Sequence, residues 1–403
     1  MKNTIKKGLT VLGLWKVAVL IFDFLSYHKS QVLFMFRIKK MKEFELGFFF
    51  NSYATGGAEK VQLEIVRSIS DYKSSVFITN YCLNEQYRKD FVSCSNLYNI
   101  YSAVRKRDFY YPFILRALAK QINKMKQPRL LGCDCQVYYD LLPYLTANVV
   151  VMDLFHTLVH SFEVGPEHWS LNVVEKIQKR IVISYKLQKD FETFYSNNGI
   201  SPTLLERIIP IHNFVERPLN FFESLPNADK PIALFVCRNH FVKRIHLAGE
   251  IAYQLRKSIK FVFIGDNLEL EVKPEHRSSI EFTGNISDSH ELSKWYQQAD
   301  FLMMTSSREG LPMVLLEGMS FGTIPVATNV GAISEIISSE ELGVLIPNHT
   351  NEKEIVRMFV ESFENLLDHP EKTSRMKQNV KKFVLQEFNV EIFKQSYRQA
   401  LLV

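Results

Sequence analysis

Two glutamates eight positions apart, Glu309 and Glu317, lie in the part of this chain that is richest in groups able to do chemistry. Residues 308–317 read REGLPMVLLE, and a proline just before an apolar run predicts a helix whose first residue is Pro312. Gly322 is typical of the end of such a helix. We therefore expect Glu309 in the loop before the helix and Glu317 about one and a half turns inside it.

The predicted start of this helix is suited to binding oxygen-rich groups. The backbone N–H groups of Gly310 and Leu311 lie at the positive end of the helix, which favours anionic or hydroxyl groups. Glu317 is surrounded in sequence by apolar residues, and a carboxylate there is costly unless hydrogen bonds are donated to it. A vicinal diol such as a ribose would supply two hydroxyl donors. The alternative is that Glu317 pairs with a nearby cation.

A second candidate is the basic loop from Cys237 to Lys243, with the sequence CRNHFVK, which follows a predicted strand. The guanidinium of Arg238 is a planar fork and the ammonium of Lys243 is a point charge, and this combination suits a diphosphate. The alternative is an ordinary solvated basic loop.

Other positions give weaker signals. Gly331 lies in a loop between a predicted strand and helix, where bare backbone can approach a phosphate. Glu335 lies four residues after Gly331. The alternative for Glu335 is that it only complements the helix dipole. Asn285 follows another strand and is a further weak candidate for binding a ligand.

The N-terminal half offers two groups of candidates. Gly56 and Gly57 form a glycine pair in the first strand-to-helix loop, where backbone can approach a ligand closely. His156 follows a predicted strand and would lie at a catalytic position, with His160 as a competing candidate. The alternative for an isolated histidine is a structural role.

Two successive β/α alternations must position these side chains. Polar, proline-containing sequence separates them at residues 216–229, which we interpret as a linker. Two doubly wound, Rossmann-like α/β domains facing each other across a cleft are therefore predicted. Strands are predicted at 44–50, 75–79, 136–138, 148–152, 180–184 and 207–212, and then at 232–237, 260–265, 280–283, 301–305, 323–327 and 343–346. Helices are predicted at 186–195, 246–257, 289–298, 312–321 and 332–338, and from 351 to the C-terminus.

The predicted organisation has five parts. Residues 1–40 are a basic amphipathic segment, 41–215 the first Rossmann-like domain, 216–229 the linker, 230–385 the second Rossmann-like domain, and 386–403 a C-terminal helix.

Composition indicates a globular protein of two domains. Of its net charge of +6, residues 1–42 supply the excess, with nine Lys/Arg against one acid, and the rest of the chain is slightly negative. A general polyanion binder is thus disfavoured, and no nucleic-acid partner is predicted. The five cysteines fit no disulfide framework and are expected to be reduced thiols.

Residues 8–25 form the most apolar run, close to the length that spans a bilayer. Lys16 and Asp23 interrupt it, so a helix lying in the membrane interface is favoured over a spanning one. A signal peptide fits in outline but lacks a convincing cleavage site. The remaining alternative is that residues 1–40 are an upstream extension without a role.

In this order and spacing, the motifs resemble retaining glycosyltransferases of family four, which have the GT-B architecture. The resemblance covers residues 44–395, and its most specific part is the E-x7-E pair Glu309/Glu317. Its other parts are Gly56-Gly57-Ala58-Glu59, His156, Asn213-Phe214-Val215-Glu216, Arg238 with Lys243, Phe263-Ile264-Gly265-Asp266, Thr283-Gly284-Asn285 and Pro325-Val326-Ala327-Thr328 with Gly331 and Glu335.

The resemblance implies a metal-independent hexosyltransferase whose co-substrate is a nucleotide-diphosphate sugar and which needs no cofactor. It also implies that 41–215 is the acceptor-side domain, that 230–385 is the nucleotide-sugar-binding domain, and that the C-terminal helix 386–403 crosses back to the first domain. By this resemblance Arg238 and Lys243 would bind the diphosphate, Glu309 the hydroxyls of the transferred sugar, and Glu317 the ribose. The amides of Gly310 and Leu311 would hold sugar and phosphate oxygens. The remaining implied contacts are His156 near the donor sugar and Gly56 and Gly57 beside phosphate or acceptor.

The chain departs from the family pattern at several positions. Cys237 replaces a glycine before the arginine, Phe214 and Glu216 replace glycine and aspartate, and Ala332 replaces the second glycine of a pair. These changes put the identity of the sugar or base in doubt. A catalytically silent GT-B-like scaffold and a GT-B-type sugar-nucleotide epimerase are the alternative functions.

The acceptor is expected to be a glycan or a lipid-linked molecule of cell-envelope polysaccharide synthesis, such as lipopolysaccharide. Residues 109–116 (FYYPFILR) and the lysines that follow combine aromatic and cationic groups that suit anionic lipid. The predicted location is therefore cytoplasmic and peripheral, on the inner face of the cell membrane. The alternative for this segment is a solvated helix face.

Overall fold

The computed structural model describes residues 15–54, 56–158, 165–218 and 229–403, and the side chains of its first helix from Tyr27 onwards. Two parallel β-sheets with helices between their strands form the described chain, which confirms the predicted α/β fold class. The chain divides into two compact units, residues 1–181 and 182–403. The predicted domain boundaries stay predictions, and most of the predicted linker, residues 219–228, lies outside the described residues.

The first sheet has seven strands in the order β3-β2-β1-β4-β5-β6-β7. The interior strand LGFFF, between β2 and β4, is buried on both faces, as is usual where helices cover both sides of a parallel sheet. The strands are β1 (Leu46–Phe50), β2 (Ser74–Ile78), β3 (Asn96–Asn99), β4 (Arg129–Cys133), β5 (Val150–Phe155), β6 (Lys179–Val182) and β7 (Ile208–Pro210).

Helices connect these strands, and the first of them precedes the sheet. The helices of this half are α1 (Trp15–Ile38), α2 (Gly57–Arg67), α3 (Arg88–Cys94), α4 (Tyr101–Val104), α5 (Tyr111–Ile122), α6 (Gln136–Leu141), α7 (Pro166–Leu171) and α8 (Tyr185–Asn197), with 3₁₀ turns at Leu142–Tyr144, Val174–Lys176 and Pro202–Arg207.

The strand predicted at residues 136–138 is wrong, because this segment is helix α6. Val and Tyr favour strands, but a short apolar run does not distinguish a strand from a buried helix. The adjacent strand is β4, which the sequence prediction missed together with β3. The ring of Tyr138 lies over Gly132 of β4, where an added Cβ would be 2.1 Å from the ring. That contact fixes α6 against the sheet.

Helix α1 is part of the first unit and packs against α4 and α5. Tyr27, Gln31 and Ile38 are buried. The stretch from Tyr27 to Ile38 is therefore part of the folded first unit and is not an extension without structural contacts. No helix among the described residues is both long and apolar enough to span a membrane.

The second sheet has six strands in the order β10-β9-β8-β11-β12-β13. All of its pairings are parallel, and every strand predicted for this half is confirmed within one or two residues. The strands are β8 (Ile232–Val236), β9 (Lys260–Ile264), β10 (Ile280–Gly284), β11 (Phe301–Met304), β12 (Ile324–Thr328) and β13 (Val344–Ile346).

Helices alternate with these strands and then end the chain. Phe363 of α13 packs against Phe261 and Phe301 of the sheet, and Phe393 of α15 packs against Phe214. The helices are α9 (Ile245–Leu255), α10 (Ser289–Gln298), α11 (Met313–Phe321), α12 (Ile333–Ile336), α13 (Glu352–Asp368), α14 (Pro370–Glu387) and α15 (Val390–Leu402), with 3₁₀ turns at Phe241–Lys243, Leu268–Glu271 and Pro274–Ser279.

Candidate functional site

Two loops at the carboxyl ends of neighbouring strands of the second sheet are bonded to each other. The turn after β8 contains Lys243, and the loop after β11 contains Glu309. The backbone N–H of Ser307 donates to the carbonyl of Val242 at 2.7 Å, and the hydroxyl of Thr305 donates to the carbonyl of Lys243 at 2.8 Å. These bonds hold the basic turn beside the glutamate loop.

The carboxylate of Glu309 is the centre of this arrangement. The Nζ of Lys243 lies 2.6 Å from its Oε1, and the hydroxyl of Ser306 donates to the same oxygen at 2.6 Å. The Glu309 side chain is 9% exposed, so the ion pair is largely desolvated and stronger than a surface pair. Two residues that the sequence assigned to different motifs therefore act as one charged pair.

A third loop, after β12, lies against the backbone of the glutamate loop. Gly331 has a φ of +56°, and a Cβ there would be 2.0 Å from the carbonyl oxygen of Glu309. The N–H of Ala332 donates to the carbonyl of Gly310 at 2.9 Å. Only glycine allows this approach, so Gly331 positions the backbone of Glu309 and Gly310.

The segment between Glu309 and α11 leaves donors available. Within the described residues, the backbone N–H groups of Gly310 and Leu311 donate no hydrogen bond. The carbonyl of Leu311 is held by the side chain of Asn213 at 2.9 Å. Pro312 was predicted as the first helical residue and is instead the N-cap, because its ψ of 120° is extended. N–H groups without a partner in the described chain, just before a helix, are the kind of donor that can bind an anion.

Glu317 lies inside α11, where it is partly buried. The hydroxyl of Tyr296 donates to its Oε2 at 3.3 Å, and burial followed by the charge of Glu317 raises the pKa of this tyrosine well above its ordinary value. Glu317 thus accepts a hydrogen bond from a hydroxyl group, and a ribose would present hydroxyl donors of the same kind.

Arg238 directly follows the carboxyl end of β8 and is exposed. In the described part of the chain it makes no hydrogen bond or ion pair, unlike Lys243. The adjacent Cys237 is half-buried, and burial raises the pKa of its thiol to about 12. Its carbonyl oxygen would be 2.0 Å from a Cβ at Gly265, so this loop also depends on a glycine.

Asn285 is not brought together with the other donor-site candidates by any observed contact. Its side chain is exposed and donates to the hydroxyl of Ser287 at 3.1 Å.

Glu335 complements a helix other than its own. Its carboxylate accepts hydrogen bonds from the backbone N–H groups of Tyr185 at 3.0 Å and Lys186 at 2.6 Å, at the start of α8. It also bonds His212 Nε2 at 2.8 Å. Burial raises the pKa of Glu335, but His212 and the two amides outweigh burial, so the pKa is lowered.

The candidates of the first unit lie after β1 and β5. Gly56 is the N-cap of α2 and Gly57 its first residue. His156 directly follows β5, and its Nε2 is buried without a partner among the described residues. Burial lowers the pKa of this imidazole to about 4, so it is neutral at pH 7. The competing His160 lies outside the described residues.

His156 has two neighbours that raise the question of a metal. One ligand atom each from Cys133, Asp134 and His156 lie within 4.8 Å of one another. Burial raises the pKa of the Cys133 thiol well above its ordinary value and that of the Asp134 carboxyl to about 7. The thiol also accepts a hydrogen bond from Gln62 at 3.4 Å. Burial thus favours the protonated form of both groups, and a metal ion bound here would have to displace both protons.

Two members of the site were missed from the sequence. Ser306 and Tyr296 donate to the two glutamates, and their types alone gave no signal. Ser306 could have been inferred from its position three residues before Glu309, which is close enough along the chain for its hydroxyl to reach that carboxylate. Tyr296 lies twenty-one residues before Glu317 and could be found only from the packing of α10 on α11.

Solved structures with the same architecture define the fold as GT-B. Anabaena Alr3699/HepE in complex with UDP and glucose has a TM-score of 0.69 at 16% identity, covering 89% of this chain and 99% of that chain. WaaG, a glycosyltransferase involved in lipopolysaccharide biosynthesis, has a TM-score of 0.62 at 14% identity, covering 89% of this chain and 100% of that one. At these identities the likeness shows the fold alone.

Residues 216–383 match the family model described as "Glycosyl transferases group 1". This part of the chain is therefore a glycosyltransferase group 1 domain, and it contains Arg238, Lys243, Glu309 and Glu317. Glycogen synthase 1 of Trichormus variabilis is 28% identical over 132 residues, which are 30% of this chain and 27% of that protein. The chain thus matches about a quarter of the length of this curated relative.

Proposed function

We propose that this protein is a retaining glycosyltransferase of family four that moves a hexose from a nucleotide-diphosphate sugar to a glycan or lipid-linked acceptor of cell-envelope polysaccharide synthesis. The observation that carries the proposal is the desolvated Lys243–Glu309 pair beside two free backbone N–H groups. The family match of the surrounding residues and the E-x7-E spacing support it.

The proposed donor contacts follow from the charges of the second unit. Arg238 and Lys243 bind the diphosphate. Arg238 makes no ion pair with the described residues, and Lys243 is held beside the glutamate loop by its ion pair with Glu309. The N–H groups of Gly310 and Leu311 bind phosphate or sugar oxygens. Glu309 accepts hydrogen bonds from the transferred sugar.

Three further residues are proposed to lie around the ribose and the base. Glu317 accepts from the ribose hydroxyls, in addition to Tyr296. Gly331 keeps the loop close to the donor, and Asn285 lines the base side. Because HepE is in complex with UDP and glucose, a uridine diphosphate sugar is the first donor to test.

In the proposed mechanism the protein stabilises the departing diphosphate. Arg238, Lys243 and the free amides offset the charge that develops as the sugar–phosphate bond breaks, and electrostatic stabilisation of this kind usually contributes most to the rate enhancement of an enzyme. The acceptor hydroxyl attacks the same face of the sugar, and the leaving phosphate takes its proton. Protein cations do this work, so we propose that the reaction needs no metal and that activity survives chelation by EDTA.

The acceptor side is proposed to belong to the N-terminal half. His156 would contact the transferred sugar as a neutral imidazole, and Gly56 and Gly57 would border phosphate or acceptor. The GT-B likeness to WaaG, which is involved in lipopolysaccharide biosynthesis, supports an envelope acceptor. A peripheral position on the inner face of the membrane follows from an acceptor of that kind.

The test compares Glu309→Gln with Glu275→Gln, an exposed glutamate of the same unit. Release of UDP from a panel of UDP sugars is measured with and without glycan acceptors, by a coupled assay. E309Q is expected to lower turnover about 100-fold, as when a group that stabilises the transition state is removed. E275Q is expected to leave turnover unchanged.

The outcomes separate this proposal from its alternatives. Equal nucleotide release by wild type and E309Q across the panel contradicts the transferase and favours a silent scaffold. Conversion of the donor sugar without an acceptor favours the sugar-nucleotide epimerase. An inverted anomeric product by nuclear magnetic resonance contradicts the retaining mechanism alone.

A further inference from the structure

Helix α1 turns one apolar face to solvent. Tyr27, Gln31 and Ile38 face inward, whereas Val32, Leu33 and the 63%-exposed Phe36 lie on the outer side. Residues four or three apart share a helix face, so these three form one stripe. Isolated exposed apolar residues are common on protein surfaces, but a contiguous group needs a partner.

The exposed stripe is held in place by polar contacts on the inner side of α1. The hydroxyl of Tyr27 donates to the carbonyl of Lys106 at 2.9 Å. The side-chain amide of Gln31 donates to Tyr27 at 2.8 Å and to Asp108 at 3.1 Å. The orientation of the stripe is therefore fixed by the fold.

A second exposed apolar group adjoins α1 at the start of α5. Phe109, Tyr110 and Phe113 are all exposed, Phe109 by 76%, and their rings contact each other at 5.4–5.5 Å between centroids. The ring of His28 on α1 lies 5.2 Å from that of Tyr110. The two groups thus form one surface, which we call the α1–α5 face.

Positive charge surrounds the α1–α5 face. Residues 27–42 and 101–126 together contain twelve Lys/Arg and a single acid, Asp108, whose carboxylate accepts from Gln31. The side chains of Arg105 and Lys106 lie 5.1 and 5.2 Å from the centre of the Tyr27 ring. At the exposed stripe itself, the Nζ of Lys39 lies 5.9 Å from the centre of the Phe36 ring. A cation beside an exposed aromatic ring matches a surface that is negative outside and apolar beneath.

We propose that the α1–α5 face docks on an anionic lipid bilayer, with Phe36, Phe109 and Phe113 entering the headgroup region and the surrounding Lys and Arg binding lipid phosphates. A second copy of this chain fits poorly, because the same cations would face each other. The proposal deepens the proposed function by giving the face that would meet a membrane acceptor, but its test does not depend on transfer.

The experiment is flotation of the full chain with vesicles of phosphatidylcholine alone or mixed with phosphatidylglycerol. Two variants remove the two kinds of contact, L33S/F36S and K29E/K39E. Two controls make the same changes at exposed positions of the second unit, L270S/I392S and K257E/K382E. Circular dichroism and UDP binding check that each variant is folded.

We expect flotation only with the anionic vesicles and its loss at high salt. Each test variant is expected to lower the partition coefficient about tenfold or more, and each control to leave it unchanged. Equal binding to both vesicle types, no binding, or equal loss in the controls would overturn the proposal. A concentration-dependent dimer that L33S/F36S abolishes would favour a second copy. Since UDP binding is measured separately, failure of the donor site is distinguished from failure of this face.

Discussion

His156 is a half-buried histidine whose imidazole Nε2 is buried and whose protonation is linked to folding. Burial lowers its pKa from 6.5 to about 4 in the folded chain, whereas in the unfolded chain it keeps its ordinary value. Between these two values the unfolded state binds more protons than the native state. Stability therefore falls as the pH drops below 6.5 and is regained as the pH rises.

We predict that His156→Gln flattens this part of the stability profile. Between pH 7 and pH 5 the wild type should lose about 2 kcal/mol more free energy of unfolding than the variant. The measurement is urea unfolding at both pH values. Asp134, whose pKa is raised to about 7 by burial, shifts stability in the opposite sense but is present in both proteins.

His349→Gln is the control, because His349 is exposed. Its profile is expected to follow that of the wild type. If H156Q and H349Q lose the same free energy between pH 7 and pH 5, the imidazole of His156 is not buried in its neutral form and the prediction is wrong.

At the scale of elements, the second unit was predicted more accurately than the first. Its strands are short runs of β-branched and aromatic residues, and the segments between them have clear helical periodicity. Strand Lys260–Ile264 after helix Ile245–Leu255 is an example. In the first unit, Asn96–Asn99 is polar and partly exposed, so it lacks the apolar signal of a strand. The confusion of helix α6 with a strand has a different origin, because its apolar run fits both structures and the packing of Tyr138 on Gly132, not local sequence, decides between them.

The loop after β12 gives a prediction about backbone geometry. Gly331→Ala places a Cβ 2.0 Å from the carbonyl oxygen of Glu309 at a φ of +56°. We expect a loss of about 2–4 kcal/mol in the free energy of unfolding, from backbone strain and displacement of the loop. Affinity for UDP should fall about tenfold, since Gly310 and Glu309 move with the loop. Urea unfolding and calorimetry measure the two effects.

Gly199→Ala separates strain from displacement. Gly199 also has a positive φ, +66°, but no atom lies within 4 Å of its Cβ position. This variant should lose only about 1 kcal/mol, with unchanged UDP affinity. Equal losses of UDP affinity in both variants would show that the loop after β12 has no special relation to the donor.

At the scale of the whole molecule, the sequence predicted which loops carry the candidate residues but not the contacts between those residues. The E-x7-E spacing and the basic turn that ends at Lys243 can be predicted from the local sequence. The 2.6 Å pair between Lys243 and Glu309 joins residues sixty-six positions apart and follows only from adjacent strands β8 and β11 in one sheet. The inward face of α1 was likewise hidden, because its partners Ala103 and Lys106 lie far along the chain.

These contacts predict where a nucleotide changes the dynamics of the chain. A ligand that binds the native state alone stabilises it, by about 2.7 kcal/mol at a hundredfold excess over its Kd. With UDP we expect slower amide hydrogen exchange at Gly310, Leu311 and the turn Phe241–Lys243, because these are the available donors and the basic turn of the site. Exchange in β3 of the first unit should not change.

The matched comparison is Lys243→Met against Lys257→Met, an exposed lysine of the same unit. K243M leaves the largely buried Glu309 carboxylate without its cation, so UDP should protect Gly310 and Leu311 much less, whereas K257M should respond as the wild type does. The same pattern of protection in both variants would contradict a diphosphate on Lys243. Protection that spreads evenly through both units would contradict a localised site. A nucleotide bound by the amides of Gly310 and Leu311 and by Lys243 would slow exchange only in the loops that contact it.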